Sequence, residues 1–115
     1  MKYLSIVLFL FLGMAIQADA QVTASEEKVA ATVTDTFSRM DLTDLRNDLM
    51  EHGLEMRYDN IQWAGEQLIS IRIRVRDEDG EIAEYSNGAI EAGTQIHIVK
   101  ELTGEKTLCV GTDCE

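Results

Sequence analysis

The stretch Leu68-Ile69-Ser70-Ile71-Arg72-Ile73-Arg74-Val75-Arg76 decides the fold of this chain. From Ile69 onward, β-branched apolar residues alternate with serine and arginine, which is the pattern of a strand with one buried face and one solvated face. The apolar face of such a strand needs another element to cover it. The three arginines Arg72, Arg74 and Arg76 are therefore expected to lie side by side on the exposed face.

The segment from Leu54 to Asp59 predicts a second strand that pairs with the first. Apolar and charged residues alternate in it. An antiparallel register in which paired residue numbers sum to 131 places Glu55 opposite Arg76, a favourable pair of charges. The same register places Arg57 opposite Arg74, which is an unfavourable pair.

Two apolar residues further along the same segment, Ile61 and Trp63, complicate this strand. Strict alternation places both of them on the arginine face. A bulge near Asn60 would reset the alternation and turn them to the other face.

An amphipathic helix is predicted over residues 42–52. Leu42, Leu45 and Leu49 recur at helical spacing. Asp41 is a candidate N-cap, and Gly53 is a typical left-handed stop.

The other elements give weaker patterns. Residues 30–37 fit either a helix or a strand, and their threonines and valines favour a strand. Residues 81–86 and 95–100 are predicted as two further strands. The order β-α-β-β-β, with four or five strands, predicts an α+β fold in which one amphipathic helix packs on a mainly antiparallel sheet.

The start of the chain has the pattern of a signal peptide. Residues 1–20 contain a short basic start, an apolar run from Leu4 to Ile16, and the A-x-A sequence Ala18-Asp19-Ala20. A run of this length is too short to cross a bilayer, which takes about 20 residues. We expect a secreted or periplasmic protein, cleaved near Ala20, with no membrane span in the mature chain.

A chain of 115 residues has room for one domain. We expect a flexible N-terminus over 21–29, a single α+β domain over 30–100, and a polar tail over 101–115.

The net charge of −11 argues against a nucleic-acid partner, because phosphate contacts need a basic surface. The charge is unevenly distributed. Segments 21–68, 69–76 and 77–115 carry −6, +3 and −8. The strand with the three arginines is thus the basic segment of an acidic chain.

Cys109 and Cys114 predict a local disulfide, because an exported protein meets an oxidising compartment. Intermolecular pairing and free thiols are alternatives. A redox function is less favoured, since it usually uses C-x-x-C with a lowered thiol pKa.

No motif of a hydrolase, nucleotide-binding protein or zinc enzyme is found in the sequence. The histidines His52 and His97 fit a helix end and a solvated strand position, and zinc would need at least one further ligand. Residues 77–81 resemble the start of a calcium loop, but the EF-hand spacing would place Val75 at the first ligand position. We therefore expect no catalytic site, no metal and no cofactor.

The pattern of hydrophobic residues and turns over residues 30–99 resembles a known small domain. It is carried by Met40-Asp41-Leu42-Thr43-Asp44-Leu45, by Tyr58 and Asn60, and by the run from Leu68 to Val75. The domain occurs as secreted proteins of Bacteroidota and as the extracellular C-terminal segment of membrane metallopeptidases related to the beta-lactam sensor. The resemblance implies a sensory or interaction module without catalytic residues of its own.

These observations favour a non-enzymatic exported module that binds a protein or peptide. The predicted binding residues are Arg72, Arg74 and Arg76, with Trp63 as a stacking surface; an exposed edge strand is a second mode of binding. The structural alternative is a solvated face whose charge is balanced by nearby acids. The functional alternatives are a secreted peptidase inhibitor or regulator and, more remotely, a small hydrolase that uses His52 or His97.

Overall fold

The computed structural model of the protein describes residues 22–114, so the predicted signal peptide over 1–20 lies outside the described residues. One helix and seven strands are found in the described part. In chain order these are β1 (Val22–Ala24), β2 (Lys28–Thr34), α1 (Arg39–Met50), β3 (Glu55–Ala64), β4 (Gln67–Arg76), β5 (Ile82–Asn87), β6 (Gln95–Glu101) and β7 (Leu108–Gly111).

The strands form two antiparallel sheets, and the prediction of an α+β fold is confirmed. One sheet has the order β1-β2-β6-β7 and the other has the order β3-β4-β5. The expected single sheet of four or five strands is thus replaced by two sheets. The additional strands come from the two ends of the described chain.

Both ends differ from the expectation of a flexible N-terminus and a polar tail. Val22–Ala24 pairs with β2, and Val29 is buried within the segment that was expected to be flexible. Leu108–Gly111 pairs with β6, and its Leu108 is buried. None of the residues of β1 is fully buried and β7 buries the side chain of Leu108 alone, which is too little to produce a periodic signal in the sequence.

The ambiguous segment after residue 30 is a strand, as its composition favoured. Every second residue of β2 faces the interior of the protein: Val29, Ala31 and Val33 have exposed fractions of 3% or less. The register with β6 joins Ala31 to Ile98, so the apolar face of β2 continues across the sheet. Alternation at period two therefore decides this segment.

The predicted register of the β3–β4 hairpin is confirmed. Glu55 pairs with Arg76 and Arg57 pairs with Arg74. The register shifts after Asp59, and Asn60 adopts a left-handed conformation with φ of 54°. The bulge near Asn60 is thus present, and it resets the alternation of the strand.

Helix α1 begins with a capping box. Ser38 is the N-cap, its Oγ accepts from the N–H of Asp41, and the Asp41 carboxylate accepts from the N–H of Ser38. Asp41 therefore lies in the first turn of the helix and is not the N-cap that the sequence suggested. The N–H of Gly53 donates to Met50 and that of Leu54 to Leu49, and Gly53 has φ of 83°, so the helix ends in a Schellman motif at the predicted glycine.

Both sheets and the helix contribute to one hydrophobic core. Leu45 and Leu49 of α1 are fully buried, as are Ile73 of β4 and Ile98 of β6. The core lies on the inner faces of both sheets, so the opposite face of the β3-β4-β5 sheet is left to solvent.

Candidate functional site

Four arginines project from the outer face of the β3-β4-β5 sheet. We call Arg57, Arg72, Arg74 and Arg76 the arginine face. Their neighbours along β3 and β4 point into the core, because successive side chains of a strand lie on opposite faces. The predicted stripe is thus present, and Arg57 widens it to two strands.

The arginine face is partly neutralised by two glutamates. Glu84 lies 3.4 Å from Arg72 and 3.4 Å from Arg74, and it accepts a hydrogen bond from Arg72. Glu55 lies 3.2 Å from Arg76. The paired side chains are 40–59% exposed, so each pair contributes at most about 1 kcal/mol. Among the described residues, none of the ion pairs involves Arg57.

A shallow cavity of about 260 Å³ opens on the arginine face. It is lined by Glu55, Arg57, Arg74, Arg76 and Ile82. Arg57 and Arg74 are directly opposite each other, and like charges in that position are destabilising. A carboxylate bound between them would relieve this repulsion through bidentate hydrogen bonds.

Trp63 lies on the other side of the sheet from the arginine face. The bulge turns it toward the core, against which it packs half-buried. Its ring lies 4.4 Å from the guanidinium carbon of Arg39, in a cation–π contact. The structure therefore does not bring the Trp63 ring to Arg72, Arg74 and Arg76 as a stacking surface.

A second basic surface, which the sequence did not reveal, lies between α1 and β3. We call it the helix groove; it has a volume of about 210 Å³ and is lined by Arg39, Leu42, Thr43, Arg46, Tyr58, Ile61 and Trp63. The Tyr58 hydroxyl donates to the carbonyl of Leu42 at 2.7 Å. Burial raises the pKa of Tyr58 well above its usual value, against a smaller lowering by the charge of Arg46. The sequence pointed to this groove in one way: a bulge near Asn60 would turn Ile61 and Trp63 away from the arginine face.

Asp77 and Lys100 form a buried ion pair that the sequence also did not reveal. Burial of the Asp77 carboxyl raises its pKa. The hydrogen bond from Lys100, those from the N–H groups of Glu81 and Asp79, and the Lys100 charge together outweigh burial, so the pKa lies below its usual value. Residues 77–81 thus form a turn around a structural carboxylate.

The two histidines lie on different elements. His52 is exposed after the helix, and Nδ1 of His97 is hydrogen-bonded to Oγ1 of Thr32 at 3.1 Å. Within residues 22–114, no group of three His, Cys, Asp or Glu residues is arranged to hold a metal.

The predicted disulfide is present. Cys109 and Cys114 are bonded, with their Cα atoms 5.9 Å apart. The bond closes the turn that follows β7. In the same described part of the chain, no helix has the length and apolar character needed to cross a membrane.

Comparisons of the chain with protein-family models, with curated proteins and with solved structures give no match.

Proposed function

We propose that this protein is an exported, non-enzymatic module that binds an acidic segment of a protein or peptide through its arginine face. The observation that carries the proposal is the pair Arg57 and Arg74, two like charges held opposite each other at the cavity on this face. Glu55 opposite Arg76 is a favourable pair. Arg57 opposite Arg74 breaks this local rule even though Glu84 lies on the other side of Arg74, and such departures are expected at functional sites.

The distribution of charge supports an acidic partner. All the arginines of the chain lie on α1, β3 and β4, while the β1-β2-β6-β7 sheet carries none. An acidic partner is repelled by most of this chain, so it approaches at the basic side. The proposed binding residues are Arg57, Arg72, Arg74 and Arg76.

Export is part of the proposal. The apolar start of the sequence and its A-x-A site support a signal peptide, and the Cys109–Cys114 disulfide is consistent with an oxidising compartment. A sensory or interaction role of the kind implied by the resemblance to the secreted Bacteroidota domain is part of the same proposal.

The test compares three forms of the protein as baits in envelope extracts. Arg57→Glu reverses one charge of the arginine face, while Lys28→Glu makes the same change of charge at an exposed position of the other sheet. We expect a partner, identified by mass spectrometry, that the native protein and Lys28→Glu retain and Arg57→Glu loses. Capture of the same proteins by all three baits would refute binding by the arginine face.

A further inference from the structure

The helix groove has two arginines on one side and apolar side chains on the other. Arg39 and Arg46 are seven residues apart on α1, which places them on one side of the helix about 10.5 Å apart along its axis. Across from them, β3 contributes Ile61 and Trp63. This combination suits a ligand that carries both an anionic group and an apolar group.

Among the described residues, no acidic residue lines the groove beside its two arginines. None of the ion pairs in the described part of the chain involves Arg39 or Arg46. The cation–π contact holds the guanidinium of Arg39 over the Trp63 ring. Arg46 has no such contact among the described residues, so we assign the carboxylate to its guanidinium.

The volume of the groove limits how much of a ligand can enter it. Sites for small molecules commonly measure about 300–1,000 Å³, and this groove measures about 210 Å³. It suits a single amino-acid residue. The C-terminal residue of a peptide brings a carboxylate and an apolar side chain together within one residue, whereas an internal sequence needs two residues to present both groups.

The geometry points to the helix groove as a binding site for the apolar C-terminal residue of a partner peptide. Arg46 binds the terminal carboxylate, and the side chain packs against Ile61 and Trp63. The groove and the arginine face lie on opposite sides of β3, so this site is distinct from the surface of the proposed function.

The experiment uses the single tryptophan of the chain, Trp63, as a reporter inside the groove. Three dipeptides are titrated while its fluorescence is excited at a wavelength that phenylalanine does not absorb. Acetyl-Ala-Phe has a free C-terminal carboxylate, acetyl-Ala-Phe-amide has none, and acetyl-Asp-Phe-amide carries its carboxylate on a side chain. We expect a saturable change with the first dipeptide and about tenfold weaker binding of the other two, since a hydrogen bond to a charged group contributes about 1.5–3 kcal/mol.

Variants assign the response to the groove. Arg46→Gln is expected to weaken the binding of acetyl-Ala-Phe about tenfold, while Lys28→Gln, which removes one positive charge at an exposed position of β2 outside both proposed sites, binds like the native protein. Thermal unfolding of both variants shows whether each is folded. The inference is overturned by an unsaturable or absent response, by equal binding of the acid and either amide, or by native affinity in Arg46→Gln. Partner capture by Arg57→Glu tests the arginine face, and dipeptide binding by Arg46→Gln tests the helix groove. Either proposal can therefore fail without the other.

Discussion

Lys100 Nζ lies 2.7 Å from Asp77 Oδ2, and this ion pair joins the two sheets inside the protein. Lys100 belongs to β6 and Asp77 directly follows β4, and their side chains are 8% and 2% exposed. Nζ also donates to the carbonyl of Lys106 at 2.6 Å, and Asp77 Oδ1 accepts from the N–H groups of Asp79 and Glu81 at 2.9 Å each. Both charges therefore have the hydrogen-bond partners that burial requires.

Removing the lysine is expected to destabilise the fold strongly. Lys100→Met leaves the Asp77 carboxylate buried without its cation, which lowers the free energy of unfolding by about 3–5 kcal/mol. Urea unfolding followed by the fluorescence of Trp63 measures this loss. The matched control is Lys28→Met, an exposed lysine whose replacement changes stability by about 0.5 kcal/mol or less.

A double variant separates the ion pair from packing. Asp77→Asn removes the buried negative charge, so the combination of Asp77→Asn with Lys100→Met is expected to be more stable than Lys100→Met alone. A loss in Lys100→Met no larger than that in Lys28→Met would show that the pair does not stabilise the fold.

The same carboxylate makes stability depend on pH. The pKa of Asp77 is lowered in the folded protein, so its contribution is present above the unfolded value of about 3.9 and is lost as pH falls from there through the folded pKa. Urea midpoints of the native protein and of Asp77→Asn are measured between pH 2 and 6. The difference between them should shrink on acidification, and a constant difference would contradict the assignment.

The register of the β3–β4 hairpin could be predicted because both faces of each strand carry a signal. Apolar residues mark the inner face, and the match of Glu55 with Arg76 fixes the pairing on the outer face. Neither signal exists for β1 or β7. Val22–Ala24 spans three residues, and Leu108–Gly111 acquires its partner only when the turn after β6 brings it back along the sheet.

The stripe Arg72, Arg74 and Arg76 was visible in the sequence for the same reason, since alternation alone places the three on one face. The helix groove depends on the bulge, because the bulge turns Ile61 and Trp63 to the side of the sheet that faces α1. Periodicity in the sequence could not decide between this bulge and an unbroken strand. The ion pair of Asp77 with Lys100 joins residues 23 positions apart on different sheets. No local pattern encodes such a contact.

The bulge depends on the left-handed conformation of Asn60. A β-branched residue is strained there, so Asn60→Val is expected to destabilise the fold by about 1–2 kcal/mol. The matched control is Asn60→Gly, because glycine adopts this conformation without strain. Its free energy of unfolding should remain within about 0.5 kcal/mol of that of the native protein. Urea unfolding measures both variants. Equal stabilities of the valine and glycine variants would show that backbone strain at this position is unimportant.

Cleavage of the proposed signal peptide is tested on protein recovered from the envelope or medium of the producing cells. N-terminal sequencing should begin at Gln21, immediately after the A-x-A site. A sequence that begins at Met1 would contradict cleavage and with it the proposed export.

The disulfide stabilises the end of β7. Its cysteines are five positions apart, and closing a ring of this size stabilises the fold by about 2 kcal/mol in the chain-entropy account. The double variant Cys109→Ser/Cys114→Ser removes the ring, and the serine at 114 also enters a buried position, so a loss of at least about 2 kcal/mol is expected. Because β7 is an edge strand, the amides of β7 in the double variant should also exchange with deuterium faster than those of β6.

Reduction of the native protein breaks the same bond without any substitution, so comparing the oxidised and reduced forms isolates the effect of the disulfide. Unchanged stability and unchanged exchange on reduction would show that the hydrogen bonds to β6 hold this strand without the disulfide.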